Sequence, residues 1–223
     1  MSWIFESINK SKKMKDHYKL HDINIFIKDQ LPEDVNVDFV LKYISKRIPS
    51  HLLRGIDMIY IGQFKQLIDR EANALFEDGA IYITNEQDDD RDMIDDIIHE
   101  IAHSVENMHA NIIYGDNEIS IEFLKKRKRL YAELESYDYN PPTELQSSLE
   151  FSKKIDQYLY KEVGYDTLWN FVGGTFPSPY AATSLREYFA RGFEEYTMGN
   201  ERDLKTVCPA IYRKVKELYE LED

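Results

Sequence analysis

Cysteine is almost absent from this chain of 223 residues, and its scarcity excludes one class of fold. The single cysteine, Cys208, cannot form an internal disulfide, so the chain is not a small disulfide-stapled scaffold and suits a reducing compartment. Proline and glycine are also few, at 7 and 9 residues, and nowhere do they form a linker-like run. We therefore expect a single domain over residues 1–223.

Long hydrophobic runs are absent too. No stretch of about 18 apolar residues occurs, so no membrane span is expected. The first residues contain no basic segment followed by an apolar core, so we expect no signal peptide and a cytoplasmic location, with export by a non-classical route left open. Positive charge is in deficit, since 28 Lys and Arg stand against 41 Asp and Glu. The net charge of −13 argues against a nucleic-acid partner.

The most informative stretch that is present is His-Glu-Ile-Ala-His at residues 99–103. His99 and His103 are four residues apart, so on a helix they share one face and both rings can bind one metal ion. Glu100 lies one step round the helix, where its carboxylate can act as general base towards a zinc-activated water. The pattern predicts a buried zinc helix over residues 91–109 with one Zn2+ per chain; a chance match on an amphipathic helix is the alternative. Apolar residues recur there at steps of three and four: Met93, Ile94, Ile97, Ile98, Ile101, Ala102, Val105 and Met108.

A catalytic zinc ion commonly has three protein ligands and one open position, so His99 and His103 need a third residue. His109 has the spacing of a metzincin ligand. An unbroken helix turns His109 about 240° away from His103, however, and metzincins break the helix with a glycine where Glu106 stands here. A polar residue at the C-terminus of the helix is therefore the better interpretation of His109.

The favoured third ligand is Glu187, near the start of a helix predicted over residues 184–198. Ser184 and Glu187 have the spacing of a capping box, so Glu187 could serve only to bond the helix terminus. Against this, an apolar face and Gly192 indicate a deeply packed helix that brings the carboxylate towards the histidines. Glu194 lies on the same face as Glu187 and is the fallback ligand. The apolar face contains Tyr188, Phe189, Phe193 and Tyr196.

The order of the predicted elements, strands first and helices later, indicates an α+β fold. A small mixed sheet within residues 1–90 is expected to pack on the zinc helix, its third strand at or near the edge, and a mostly helical C-terminal half follows. Residues 63–76 fit either helix or strand. The predicted strands cover residues 23–27, 56–61 and 80–84; the other predicted helices cover 1–20, 32–46, 116–137, 143–162 and 209–221.

Residues 116–162 are predicted to form a helical pair, whose second helix opens with a capping box at Thr143 and Gln146. Five consecutive basic residues at 125–129 could form a basic patch. Because glutamates flank this run on both sides, a solvated helix face is the better interpretation.

The stretch that begins at Glu187 resembles a known family. Its sequence Glu-Tyr-Phe-Ala-x-x-Phe is similar to the ligand helix of lethal-factor-like zinc metallopeptidases, which include the catalytic domain of anthrax toxin lethal factor and the Pro-Pro endopeptidases. Tyr180 stands seven residues before Glu187, as the tyrosine of that family does. The segment Cys-Pro-Ala-Ile-Tyr at 208–212 also resembles the last helix of the Pro-Pro endopeptidases. The likeness covers residues 80–109 and 177–220, and residues 177–223 would hold the ligand helix and the C-terminal helix.

The resemblance implies a zincin-like fold with zinc ligands His99, His103 and Glu187. It implies Glu100 as the base and Tyr180 as the phenol that stabilises the oxyanion. The activity that follows is that of a gluzincin, a zinc-dependent endopeptidase that hydrolyses peptide bonds through a zinc-activated water.

Two features depart from the family. The gap between the zinc helix and Glu187 is longer than in the relatives, so residues 116–162 look like an insertion. Relatives also tend to have an acidic residue four positions after the ligand glutamate, where this chain has Arg191. Asp96, on the same stripe as the histidines, could replace that acid in supporting the ligands.

The expected partner is a peptide or protein substrate, bound extended along the 80–84 strand by β-augmentation. The alternative is a catalytically inactive, toxin-like or interaction domain that keeps a structural zinc. A structural site needs a fourth protein ligand, and Cys208 is the one thiolate available. A small buried residue ahead of a helix is the better interpretation of Cys208.

Overall fold

Five short strands form the sheet of the N-terminal half. The computed structural model describes residues 18–221 and groups the chain into two units, one ending at Ser104 and one beginning at Val105, which are described separately. The strands belong to the first unit, in the order β1-β2-β3-β5-β4. β2, β3 and β5 are parallel, whereas β1 and β4 are antiparallel to their neighbours, so the sheet is mixed as predicted. The bounds are β1 (Tyr18–Leu20), β2 (Ile23–Ile27), β3 (Met58–Ile61), β4 (Ala74–Glu77) and β5 (Ala80–Ile83).

The third predicted strand, β5, lies next to the outer strand β4, so it is near the sheet edge, as predicted, but not at the edge itself. β5 pairs with β3 on one side and with β4 on the other. Asp78 and Gly79 form the turn between β4 and β5 with φ angles of 50° and 78°, which a tight hairpin requires. Because both sides of β5 are paired, a peptide cannot add to residues 80–84, and β4 is the outer strand.

Alternating side chains explain why these segments form strands. Every second residue of β3 and β5 is buried, as are Ile23 and Ile25 of β2. Ile25, Ile59 and Ile81 lie opposite one another in register. The residues between them point to the other face. There the rings of Phe26, Tyr60 and Tyr82 follow one another, with centroids 6.2 and 5.2 Å apart.

Two α-helices lie between the strands of the first unit: α1 (Val37–Ser45) and α2 (Lys65–Arg70), with a 3-10 helix at Ser50–Leu53. α1 begins later than the predicted start at Pro32, because Asn36 is its cap and accepts a hydrogen bond from the Phe39 N–H at 3.1 Å. Within the helix predicted for residues 1–20, residues 18–20 are strand β1 instead. The rest of that prediction lies outside the described residues.

The predicted zinc helix is α3 (Asp90–Tyr114), which begins in the acidic stretch and continues beyond the predicted end at residue 109. At His109 the backbone leaves the helical conformation, with φ −120° and ψ 22°, so the helix bends there. The apolar pattern that predicted the helix is its core side: Met93, Ile97, Ile98, Ile101 and Val105 are fully buried.

The second unit is built from helices. Those predicted over residues 116–137, 184–198 and 209–221 are confirmed as α4, α7 and α9, and Pro209 is the first residue of α9. Two helices, α6 and α8, were not predicted. The bounds are α4 (Glu118–Ser136), α5 (Lys153–Gln157), α6 (Tyr165–Val172), α7 (Leu185–Thr197), α8 (Glu201–Val207) and α9 (Pro209–Tyr219), with 3-10 turns at Thr143–Gln146 and Tyr180–Ala182 and a π-helix at Tyr158–Val163.

The second helix of the predicted 116–162 pair is not continuous. Thr143 caps no helix, because its hydroxyl donates to the neighbouring Glu144 carboxylate at 3.4 Å and the chain makes a single 3-10 turn. The short α5 begins ten residues after Thr143 and passes directly into the π-helix. The predicted capping box was therefore wrong.

The basic run at residues 125–129 is only partly a solvated face. Lys125, Lys128 and Arg129 are exposed, as predicted, whereas Lys126 is half-buried and Arg127 is fully buried. A helix turns by about 100° per residue, so five consecutive residues cannot all face solvent.

Gly192 allows α7 and α9 to pack closely, as the sequence suggested. A Cβ atom at Gly192 would lie 2.4 Å from the side chain of Ile211.

Strands followed by helices confirm the α+β class. Within residues 18–221, no helix has both the length and the apolar character that crossing a membrane requires.

Candidate metal centre

Two histidines of α3 form the first part of the site. The rings of His99 and His103 have centroids 4.8 Å apart and planes at 89° to each other. His103 is buried and His99 is partly exposed. Their spacing of about one helical turn places both rings on one face, so their nitrogens can approach one ion.

Glu187 lies in the first turn of α7. Ser184 is the N-cap of this helix, and its hydroxyl oxygen accepts a hydrogen bond from the Glu187 backbone N–H at 3.1 Å. The backbone of Glu187 therefore takes part in the cap. This bond fixes the point at which the Glu187 side chain leaves the helix.

His99, His103 and Glu187 form a group that could hold a metal ion. Each offers one ligand atom, and these atoms lie within 4.8 Å of one another. Two imidazoles and one carboxylate are a donor set of catalytic zinc sites, in which tetrahedral donors lie roughly 3.4 Å apart. The chemistry of the three donors therefore fits zinc. It is the one group of this kind among residues 18–221.

The two other candidate ligands lie outside this group. The Glu194 carboxylate accepts hydrogen bonds from Arg191 Nη1 at 2.9 and 2.8 Å. His109 is the residue at which α3 bends, although no glycine is present to break the helix. The sequence argument assumed a straight helix at this point and did not foresee the bend, yet His109 is not a member of the group.

Glu106, which stands where metzincins have their glycine, ties the end of α3 to α7 within the second unit. The Tyr114 hydroxyl donates to one carboxylate oxygen at 2.6 Å, and Arg186 Nε lies 3.1 Å from the other. Burial, and then the charge of Glu106, raises the pKa of Tyr114, so its hydroxyl remains a donor. Arg186 precedes Glu187, so this ion pair helps to place the first turn of α7. Sequence reasoning missed the pair.

Glu100 is buried, with 6% of its surface exposed, and is not part of the ligand group. Its Oε2 atom accepts a hydrogen bond from the backbone N–H of Phe76 at 2.6 Å. Phe76 lies in the outer strand β4, so this N–H points away from β5. Sequence reasoning missed Phe76 because residues 63–76 fitted helix and strand equally.

Asp96 has a partner in the same unit. Gln87 Nε2 donates a hydrogen bond to the Asp96 carboxylate at 3.1 Å. Burial raises the pKa of Asp96 to about 6, and the bond from Gln87 opposes that rise. A supporting role for Asp96 towards the metal ligands stays a prediction.

Tyr180 is held in the 3-10 turn ahead of α7. The Thr183 hydroxyl donates to the Tyr180 carbonyl oxygen at 2.8 Å, and the Ser178 hydroxyl accepts from the Ala181 N–H at 3.2 Å. Burial, and then the negative charge of Glu187, raises the pKa of the Tyr180 phenol. The phenol therefore stays protonated and can donate a hydrogen bond.

Three residues around Tyr180 belong to the same unit. The guanidinium of Arg191 lies 5.9 Å from the centre of the Tyr180 ring. The Tyr165 hydroxyl donates to the Asp156 carboxylate at 3.5 Å. Burial, helped by the charge of Glu187, raises the pKa of both Asp156 and Tyr165. The predicted insertion thus contributes a charge, Asp156, near Glu187.

Cys208 was the candidate fourth ligand of a structural zinc site. It is fully buried, and its sulfur accepts a hydrogen bond from Lys126 Nζ at 3.2 Å. Burial raises the pKa of its thiol. Cys208 is not part of the metal group, and its burial confirms the interpretation as a core residue.

Comparison with known proteins assigns no family. No family model matches this chain, and neither does any curated protein or solved structure.

Proposed function

We propose that this chain is a zinc-dependent endopeptidase. The observation that carries the proposal is the group of His99, His103 and Glu187, whose ligand atoms lie within 4.8 Å of one another. Three donors beside a carboxylate that is not a ligand, Glu100, are the parts that metal-assisted peptide hydrolysis needs. The resemblance to lethal-factor-like peptidases supports the same assignment and, with it, a zincin-like arrangement of helix and sheet.

Zinc held by these residues would lower the pKa of a bound water towards 7 and polarise the scissile carbonyl. Glu100 takes the proton of the attacking water and passes it to the leaving amine. The Tyr180 hydroxyl donates a hydrogen bond to the oxyanion that develops in the transition state. Because that charge is absent in the ground state, the contact accelerates the reaction.

The proposed position of the substrate is the outer edge of β4. Ala74 and Phe76 direct their backbone groups to that edge, because alternate residues of β4 face β5. A carbonyl oxygen of an extended peptide that pairs there would accept a hydrogen bond from the Phe76 N–H. In the structure Glu100 accepts the same N–H, so an arriving peptide releases the Glu100 carboxylate for proton transfer.

A peptide-library cleavage profile tests the proposal. Zinc-loaded protein is compared with chelated protein and with zinc-loaded Glu100→Gln. We expect cleavage by the zinc-loaded wild type alone. Binding of zinc without cleavage of any peptide would instead identify a catalytically inactive zinc-binding domain and refute the proposal.

A further inference from the structure

Arg127 is a fully buried cation of the second unit. It lies on α4 with none of its surface exposed. Its position continues the buried face of that helix, which contains Phe123, Leu130 and Leu134. Arginine is rarely buried to this degree unless its charge is paired.

The guanidinium of Arg127 uses only one of its three nitrogens. Nη1 donates to the Ser148 carbonyl oxygen at 2.8 Å, and the guanidinium lies 5.1 Å from the centre of the Phe123 ring. Nε and Nη2 are buried and have no hydrogen-bond partner among residues 18–221. Burial alone lowers the pKa of Arg127 to about 10, so the group is still charged at neutral pH. A charge buried in this way normally has a counter-charge.

The two nitrogens without a partner form one recognition edge. The N–H groups of Nε and Nη2 point in nearly the same direction, as the side fork of a planar guanidinium. This fork binds two oxygens of a planar anion, or a single halide ion. The contacts of Arg127 thus leave the bidentate edge open while the remaining nitrogen holds the backbone.

We propose that the Nε and Nη2 edge of Arg127 binds a small monovalent inorganic anion, of which chloride is the ordinary one. The side chain is fully buried, so a ligand of this edge must be a small ion rather than a large organic acid. The bound anion neutralises the guanidinium and satisfies both N–H groups. This site is separate from the metal group and does not depend on the proposed activity.

The anion is expected to stabilise the segment that leads to α7. Arg127 holds the Ser148 carbonyl, and the next carbonyl, that of Leu149, accepts a hydrogen bond from the Leu185 N–H at 2.8 Å. Leu185 is the first residue of α7. Neutralising Arg127 therefore secures the backbone that anchors this helix.

Thermal unfolding in different sodium salts at constant ionic strength tests the proposal. We expect the Tm of the wild type to rise saturably, by about 5–10 °C, when chloride or nitrate replaces gluconate. Gluconate is a large organic anion that a fully buried edge should not admit, and as a strongly hydrated anion it stabilises proteins generally at least as well as chloride. A higher Tm in chloride therefore reports a specific site.

Arg127→Met and Arg129→Met form a matched pair on the same helix. Arg129 is exposed and pairs with Glu133, so its replacement removes a charge without touching the buried edge. We expect Arg127→Met to lose the chloride-dependent rise and Arg129→Met to keep it. If Arg127→Met does not fold, chlorine NMR line broadening on the wild type, reversed by nitrate, gives the same answer. A wild-type Tm that does not change with chloride would show that no anion binds at this edge. A chloride-dependent rise in Tm that persists in Arg127→Met would show that chloride acts elsewhere, and either result would overturn the proposal.

Discussion

His99 and Glu100 are neighbours in sequence, yet a helix turns by about 100° per residue and separates their tasks. His99 belongs to the ligand group, whereas Glu100 accepts the Phe76 N–H. We expect Glu100→Gln to lower hydrolysis at least about a hundredfold, because an amide cannot accept the proton. The variant should still bind about one zinc per chain. Elemental analysis and a peptidase assay on the same sample check this; loss of zinc, or turnover near that of the wild type, would remove Glu100 from its role.

Glu187 and His109 are the residues that distinguish the two possible zinc sites. We expect Glu187→Ala to weaken zinc binding at least about tenfold, the lower end of what the loss of even a supporting residue costs. His109→Ala should leave the affinity nearly unchanged, because His109 lies outside the ligand group. Competition with a chromogenic chelator measures both affinities. The reverse result, zinc lost with His109 and kept without Glu187, would make the assigned mechanism wrong.

Tyr180 is the proposed oxyanion donor, and its protonation state gives a second test. We expect Tyr180→Phe to keep zinc and to lower kcat by at most about a thousandfold, the value of one oxyanion donor. The ordinary pKa of a tyrosine is about 10, and burial raises the pKa of Tyr180 further, so its phenol is protonated at pH 7 and at pH 9. The ratio of wild-type to variant kcat/KM should therefore be the same at pH 7 and pH 9. A ratio that falls as the pH rises would mean that the phenol ionises, contrary to this prediction.

At this scale the sequence predicted residues whose role follows from helix spacing. His99, Glu100 and His103 follow from the motif, and Ser184 from its position ahead of an apolar run; the structure bears out the cap. Phe76 could not be predicted in this way. Its contribution is a backbone N–H that meets a side chain distant in sequence, and periodicity carries no information about such a contact.

Among the elements, α4 contains a helical periodicity that predicts the burial of Arg127, although the basic run at 125–129 suggested exposure. Phe123, Arg127, Leu130 and Leu134 recur at steps of three and four, which places Arg127 on the apolar face. The run of like charges at 125–129 suggested a solvated face instead. Helical periodicity, rather than local composition, decides which charge is buried.

The outer strand β4 was missed for a physical reason. Residues 74–77, Ala-Leu-Phe-Glu, are mostly good helix formers, and strand pairing overrode that preference. Asp78 and Gly79 are a typical hairpin-turn pair in the sequence, and a turn of this kind requires a strand before it as well as after it. The interruption of residues 143–163 by a 3-10 turn and a π-helix has no comparable local signal.

Phe76 allows the proposed substrate edge to be tested. Proline at this position removes the N–H, and an outer strand tolerates proline where no ladder bond is lost. We expect Phe76→Pro to raise KM about 2–10-fold, the value of one hydrogen bond. Phe76→Ala keeps the N–H and should change KM less. Steady-state kinetics with zinc content as the control measures both, and equal effects of the two variants would exclude backbone pairing at β4.

For the whole molecule, the order of strands and helices was enough to predict the α+β class, because that class depends on which patterns occur and in what sequence. The order of elements was not enough to predict the third metal ligand. Glu187 is far from His103 in the chain, and its position depends on the packing of intervening helices, of which α6 was not predicted. Periodicity left three candidates open; the deep packing expected of the 184–198 helix favoured Glu187, and the family resemblance implied the same residue.

Metal removal tests the molecule as a whole. A ligand that binds only the folded chain stabilises it by about 2.7 kcal/mol at a free concentration of 100 times its Kd. For a chain of 223 residues, each kcal/mol shifts the Tm by about 2–4 °C. We therefore expect chelation to lower the Tm of the zinc-loaded protein by about 5–10 °C. Zinc should restore it and magnesium should not, because two imidazoles and one carboxylate suit zinc and not a hard cation. The shift should be smaller in Glu187→Ala, which lacks a ligand, and should persist in Glu100→Gln. A wild-type Tm that does not change on chelation would show that the protein binds no stabilising zinc, and the roles proposed for both residues would then be wrong.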